Sequence, residues 1–343
     1  MTDVAIVGGG VIGLSIALRC AKRGLGVAVH DPAPGSGAST VAAGMLAPVT
    51  EAHYGEEALT SLALASLALW PAFAAELGLG DAYTEHGTLL VALDHGDRAE
   101  LDRQHGFYAR LGLASHRLTG GEARALEPLL STRVRGGVHA PGDHQADPRR
   151  LHAALLDACR AAGVAFVPAA VTDPSTLDAD RVVVCTGARD LLGLPVRPVH
   201  GQVLRLRGPA ELRLTVRGIV GGRSVYVVPR PDGEVVVGAS SAERGFDTAP
   251  RAGDAYELLR DALDVLPELA EYELREVRAG LRPGTPDNAP ILGRTADPRV
   301  IAATGHYRNG VLLAPVTAEL ITALVVTGEE PSALQPFHPR RFQ

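Results

Sequence analysis

The chain has 343 residues, of which 46% are hydrophobic and 21% charged, values that suit a folded protein of one or two domains rather than a disordered one. Its formal net charge is −6 and no basic run occurs, which removes the electrostatic footprint of a nucleic-acid binder. Three cysteines, Cys20, Cys159 and Cys185, form no CxxC pair and lie in apolar or helical patterns, as buried free thiols of a reducing, cytoplasmic compartment would, and no metal ligand set is read from them.

In chain order, residues 3–8 (DVAIVG) are a short apolar strand ending in glycine. LSIALRCAKRG has helical periodicity, and VAVHD is a second strand, so a β-α-β unit opens the chain. No basic leader precedes it, and three glycines break the apolar stretch, so a signal peptide is not expected. Between the two strands lies Gly8-x-Gly10-x-x-Gly13, and Asp31 follows eighteen residues after Gly13. A dinucleotide site needs these types at this spacing. Gly8 allows the tight turn, Gly10 lets the backbone approach a pyrophosphate, Gly13 lets the helix pack on the sheet, and the acid holds a ribose hydroxyl. The phosphates sit on the helix N-terminus, at Val11 and Ile12. FAD and NAD share this fingerprint, so spacing alone does not choose between them.

The uncharged stretch 58–75 (ALTSLALASLALWPAFAA) approaches membrane-spanning length, but polar residues and Pro71 interrupt it and Glu56, Glu57 and Glu76 flank it. A buried helix ending near Pro71 is expected, with no membrane partner. A strand pair is expected near GTLLVALD (87–94). From 146 the sequence ADPRRLHAALLDACRAAG carries an N-cap at Asp147, Pro148 in the first turn and a stop at Gly163. AFVPAAV and RVVVCTG follow as short strands, and the second ends in glycine.

Residues 200–245 change character. QVLRLRG and SVYVVPRPDGEVVVGAS alternate or run β-rich around a PDG turn, which predicts an antiparallel sheet. The chain thus divides into two discontinuous domains: 1–80, 146–199 and 278–343 in a Rossmann-like α/β domain, and 81–145 and 200–277 in a substrate domain, α+β overall. Near the end, Arg308 sits between glycines in an apolar segment (GHYRNGVLLAP, 305–315). A guanidinium stays charged and is costly to bury unpaired, so an anion or an acidic side chain is expected beside it. Arg282 in RPGTPDN also suits a surface turn, and Tyr226 on its alternating strand also suits packing. His200 and His306 read as packing or hydrogen-bonding residues rather than bases.

Taken together, VGGGVIGLSIA, AAGMLAP, YVVPR…VVVGAS, LRPGTPDNAPILG and GHYRNGVLLAP resemble the D-amino acid oxidase family of flavoproteins, in the family's order and over nearly the whole chain. The resemblance implies FAD, a Rossmann-like flavin domain, and a large antiparallel sheet over the flavin. It implies flavin contacts from Ser39, Thr40, Ala43, Gly44 and Met45 in the small-residue loop, from Val171, from Thr186 and Gly187, and from His306, Arg308, Asn309, Gly310, Val311 and Leu312. It also implies that Arg282 pairs with a substrate carboxylate, that Tyr226 donates to it, and that Arg308 encloses the substrate. Met45 and Ser241 line the substrate pocket, Ser241 standing where a methionine is usual; Ser224 stands where a histidine would not surprise.

The activity so implied is oxidative deamination of glycine and other small amines, such as sarcosine and small D-amino acids, with oxygen as acceptor and peroxide as product. The imine would supply the thiazole of thiamine. A homotetramer is implied as well. No cysteine lies in the last third of the chain, so the FAD is expected to be held non-covalently. Two alternatives stay open: a D-amino acid dehydrogenase of broader specificity that passes electrons to a quinone, and a non-catalytic flavin-binding module. A membrane-facing apolar or basic patch would favour the first, and none is visible in the sequence; the carboxylate clamp argues against the second.

Overall fold

The computed structural model describes residues 2–209 and 211–342. The chain enters through β1 (Val4–Val7), α1 (Val11–Lys22), β2 (Val27–His30), the short β3 (Met45–Leu46) and the long α2 (Glu57–Glu76). It then forms β4 (Tyr83–Thr84), β5 (Thr88–Ala92), α3 (His95–Arg110), β6 (His116–Thr119), α4 (Gly120–Leu126), β7 (Gly136–Ala140) and β8 (His144–Ala146). Next come α5 (Pro148–Ala161), β9 (Ala165–Val167), β10 (Arg181–Val184), β11 (Arg197–Arg207), β12 (Thr215–Val220), β13 (Arg223–Pro229) and β14 (Glu234–Gly238). It closes with α6 (Ala252–Val265), β15 (Glu273–Gly284), β16 (Ile291–Arg294), β17 (Val300–Thr304) and α7 (Ala314–Thr327).

A six-stranded sheet has the order β16-β17-β10-β1-β2-β9, parallel throughout except for β16. Its strands are apolar on both faces because both are covered: Val4 and Ile6 join the core under α1, α5 and α7, while Ala5, Val7, Val182 and Val184 pack on the opposite side. The signals at α5 act as expected. Asp147 accepts from the N–H groups of Arg149 and Arg150, and Gly163 takes a left-handed φ of 78° just past the helix.

An eight-stranded sheet has the order β15-β11-β14-β13-β12-β5-β7-β6. Between 197 and 238 it is antiparallel, but β12 also pairs with β5 in parallel, a long-range match that no local turn announces. Alternation decides what each face carries. Leu204, Val225, Val227, Val235 and Val237 point to α6, while Val203, Tyr226, Val228 and Val236 point the other way. The division expected at 199/200 and 277/278 falls inside β11 and β15, both of which belong to this sheet throughout their length; the outermost residues 1 and 343 of the expected ranges lie outside the described residues. A three-stranded sheet, β3-β8-β4, joins the two larger ones.

The helix expected to end near Pro71 runs on to Glu76. Proline removes one helical bond at a cost of ~3 kcal/mol. Trp70 and Phe73 are 0% and 1% exposed, and burying two such side chains contributes roughly 3–6 kcal/mol, so packing wins. Trp70 also donates its indole N–H to the Leu312 carbonyl at 2.9 Å. The helix is long and apolar enough to cross a membrane, yet less than half of its apolar window is buried. Leu64 and Leu69 stand 39% and 37% exposed on it, about 140° apart around the helix.

Candidate active site

One cleft of about 720 Å³ runs from the end of β1 to the open face of the eight-stranded sheet. At the first end, Gly8 has a φ of 112° and passes so close to β10 that a Cβ there would meet the Cys185 carbonyl carbon at 2.8 Å. Asp31, just after β2, accepts from the Gly9 N–H at 2.6 Å and the Ala33 N–H at 2.8 Å, fixing the turn on which the glycines sit. His152 ties in from α5 through Nε2 and the Gly9 carbonyl at 2.8 Å. Helix α1 has no side-chain cap of its own; Ser39 Oγ accepts from the Val11 N–H at 3.2 Å. An uncapped helix N-terminus beside an ionisable acid is what a dinucleotide requires.

The cleft lining contains Gly8, Gly10, Val11, Ile12, Asp31, Ser39, Ala43, Gly44, Met45, Val171, Thr186 and Gly187, and at the far end His306, Arg308, Asn309, Gly310 and Val311. Three expected contacts lie behind it. Gly13 packs against Gly8, where a Cβ would stand 3.1 Å from that residue's carbonyl carbon. Thr40 turns its hydroxyl to the Gly35 carbonyl, 2.8 Å away. Leu312 is 1% exposed and spends its carbonyl on Ser66 and Trp70. Neither Thr40 nor Leu312 is part of the cleft lining: the Thr40 hydroxyl is spent on Gly35, and the Leu312 carbonyl is taken by Ser66 and Trp70 of α2.

The far end gathers the substrate-pocket residues on one sheet face. Arg282 on β15, Tyr226 on β13 and Arg217 on β12 all point into the cleft, and Arg217 is the cross-strand partner of Tyr226. Two glycines make room. A Cβ at Gly238 would meet Tyr226 Cζ at 2.5 Å, and one at Gly201 would meet Arg282 Nη2 at 2.5 Å, so both side chains lie flat over bare backbone. Arg282 donates to the Ser240 carbonyl at 3.1 Å and has no carboxylate partner among the described residues. Burial pushes the Tyr226 phenol up, against the opposing pull of Arg282, so it stays a proton donor.

Arg308 has no ion pair among the described residues; its guanidinium lies 5.0 Å over the Tyr307 ring, with Nη2 3.5 Å from the phenol oxygen. The acidic partner that could have explained it is therefore absent from the described contacts. Tyr307 takes a left-handed φ of 45°, uncommon for a bulky residue, which turns the ring into the cleft toward Ser241. Ser241 and Ser224 line the pocket as small, exposed hydroxyls. His306 is a packing residue that also lines the cleft: its Nε2 meets Thr317 Oγ1 at 3.1 Å, and complete burial lowers its pKa to about 3. His200 is buried against the Ala249 carbonyl, away from the cleft.

Glu51, Arg217 and Tyr307 were not singled out in the sequence. Arg217 meets Glu51 at 2.5 Å and the Thr50 carbonyl at 2.6 Å. Beneath them Asp143, fully buried, accepts from Val49 N–H, Thr50 N–H and Thr50 Oγ1, at 3.1, 3.3 and 2.6 Å. Burial raises its pKa to about 6 despite those bonds. Burial also pushes Glu51 up, but Arg217, Arg308, His53 and Arg282 outweigh it and hold its carboxyl below the usual range. The available signal was a lone arginine inside the apolar strand TVRGIV.

A model of the family described as FAD dependent oxidoreductase matches residues 3–324. The glycine oxidase of Geobacillus kaustophilus is 35% identical over 98% of this chain and 96% of its own length. Its solved structure superposes with a TM-score of 0.89, at 36% identity, covering 98% of each chain. The putative thiamine biosynthesis oxidoreductase ThiO of Rhizobium etli is 33% identical over 94% of this chain and 96% of its own length. The bifunctional protein ThiO/ThiG of Trichormus variabilis is 34% identical over 99% of this chain, which spans 55% of that longer relative. The cleft fits FAD on its own evidence: the N-terminus of α1 opens on it at Gly10 and Val11 with no cap from Gly10 itself, Asp31 lies beside that turn, Gly8 leaves no room for a Cβ, and the Asn309–Val311 backbone before α7 lines the far end.

Proposed function

The chain belongs to the D-amino acid oxidase family of FAD-dependent oxidoreductases, and from that premise we propose that it oxidises glycine and related small amino acids to their imino acids. FAD, expected to be held non-covalently by Gly10, Val11 and Asp31 at α1 and by the Asn309–Val311 backbone before α7, would supply a two-electron acceptor for a hydride from the substrate Cα. Everything else is positioning. Arg282 takes the carboxylate in a fork, Tyr226 donates to it, and Arg308 with Tyr307 closes the mouth against water. The observation that carries this reading is Arg282, a guanidinium in a cleft wall with no carboxylate of its own, seated over Gly201.

Oxygen is the proposed acceptor and peroxide the product, with the imine serving thiamine biosynthesis, as the name of the Rhizobium relative supports. The small Ser241 and Ser224 leave room for sarcosine, D-alanine or D-proline beside glycine; one methylene is worth only ~1–3 kcal/mol. The three buried free thiols support a cytoplasmic setting, and the family resemblance supports a homotetramer. The site roles above are part of this proposal, as is the two-domain division.

The exposed Leu64 and Leu69 of α2, a helix long and apolar enough to cross a membrane, favour a second reading, a dehydrogenase that delivers electrons to a membrane quinone. Mixing the protein with glycine, sarcosine, D-alanine and D-proline in air separates the two. Peroxide from glycine, lost in Arg282→Ala, supports the oxidase. Flavin reduction without peroxide, with a soluble quinone accepting the electrons, supports the dehydrogenase. No reduction by any of the four amines overturns both.

A further inference from the structure

Around the substrate end of the cleft stand three guanidinium groups, from Arg217, Arg282 and Arg308, and one carboxylate, from Glu51. The other charged groups of the lining are Asp31, at the opposite end, and Arg189, which follows Thr186 and Gly187; Asp143 is buried beneath Thr50, behind Glu51 and Arg217. Ser224, Tyr226, Ser241, His306 and Tyr307 complete the facing groups, and His306 is neutral. His53 adds its field to Glu51, and Glu56, hydrogen-bonded to Asn288, adds its field to Arg308.

The wall therefore carries an excess of two positive charges. A substrate carboxylate on Arg282 reduces the excess to one. Hydride loss from Cα needs the amine lone pair, whereas a free amino acid arrives with an ammonium group. A positive wall disfavours that ammonium, but a loose carboxylate would favour it. Arg217 holds Glu51 at 2.5 Å and is itself anchored on the Thr50 carbonyl, so the one acid of the pocket is drawn to the wall.

We propose that the Glu51–Arg217 pair is a positioning device that sets the ionisation of the bound amine, keeping the one carboxylate that lines this end of the cleft neutralised so that the substrate binds with its amine uncharged. This rests on the amino acid oxidase reading. On binding, the ammonium proton passes to solvent through the cleft mouth, and the amine keeps its electron pair for the oxidation. Neither residue transfers the proton itself.

The test is the pH dependence of the anaerobic flavin-reduction rate with sarcosine, in wild type, Glu51→Gln, Arg217→Gln and the double variant. Removing one charge in a partly solvated pocket displaces the acidic limb by about one pH unit. Glu51→Gln moves it down, because the wall becomes more positive. Arg217→Gln moves it up, because Glu51 is released uncompensated. The double variant returns it to near the wild-type position, which a merely structural role for the pair would not do. Equilibrium binding of glycolate, which has no amine, is the second readout and shows no such limb in any of the four proteins.

Limbs that stay put, that move in the same direction in both single variants, or that appear equally with glycolate overturn the proposal. Wild-type flavin that no amine reduces overturns the oxidase reading instead, and with it the reaction this pair would serve.

Discussion

The Arg282 guanidinium lies directly over Gly201: a Cβ on that glycine would stand 2.5 Å from Nη2. The arginine on β15 and the bare backbone of β11 form one unit, and the first expectation follows from it. Gly201→Ala must push the fork sideways without touching the substrate. It is expected to lower kcat/KM by about 10–100-fold through KM and kcat together, since small misplacements at a reacting centre are costly. Arg282→Ala, which removes the fork, is expected to cost about 100–1000-fold. Steady-state kinetics on glycine checks both, and a Gly201→Ala enzyme with wild-type constants would remove the fork from the reaction.

Tyr226→Phe keeps the ring over Gly238 and removes only the hydroxyl. One hydrogen bond to a charged acceptor is lost, so kcat/KM falls by about 10–100-fold while flavin content is unchanged. A fall confined to flavin content would place the tyrosine with the cofactor instead.

Gly8→Ala puts a methyl group against the Cys185 carbonyl at a φ of 112° that alanine resists. The variant is expected to purify without its yellow colour. The flavin-to-protein absorbance ratio after gel filtration measures this, and full retention of flavin would contradict the close approach of β1 and β10.

His306 gives a pH expectation. Its folded pKa, about 3, lies below the ordinary 6.5, so the unfolded chain binds the extra proton between those values. Stability from this group is fully present above pH 6.5 and is lost as pH falls toward 3, by up to about 1.4 kcal/mol per pH unit. His306→Asn, which cannot titrate, should be the less stable protein at pH 7 because the Thr317 contact is weakened. The gap in Tm should narrow at pH 5. A gap of constant size would mean that the histidine is charged in the fold.

The sequence exposed those parts of the site that are written in consecutive residues. Gly8, Gly10, Gly13 and Asp31 belong to one β-α-β turn, and Asp147 and Gly163 bracket one helix, so local chemistry specifies them. Arg282 and Tyr226 came from the likeness of their strands to a known family, since nothing local distinguishes a clamp from a turn residue. Glu51 and Arg217 escaped notice because their pairing spans the molecule: 167 residues separate Thr50 from the arginine that binds it. Only the parallel match of β12 with β5 brings that strand into place. Pro71 misled for a related reason, as two buried aromatics outweigh one lost backbone bond.

The sheet that holds the flavin end takes β1 from residues 4–7 and β17 from residues 300–304, with Cys20 of α1 and Thr322 of α7 3.6 Å apart. β17 and α7 must therefore leave the ribosome before the first glycine turn has its final neighbours. A nascent chain that stops short of β17 lacks the neighbour of β10 and the 303–311 wall of the cleft, and so has no complete cradle for FAD. Flavin uptake consequently waits for β17 and α7, and a premature stop before α7 is expected to yield a colourless protein whatever else it preserves.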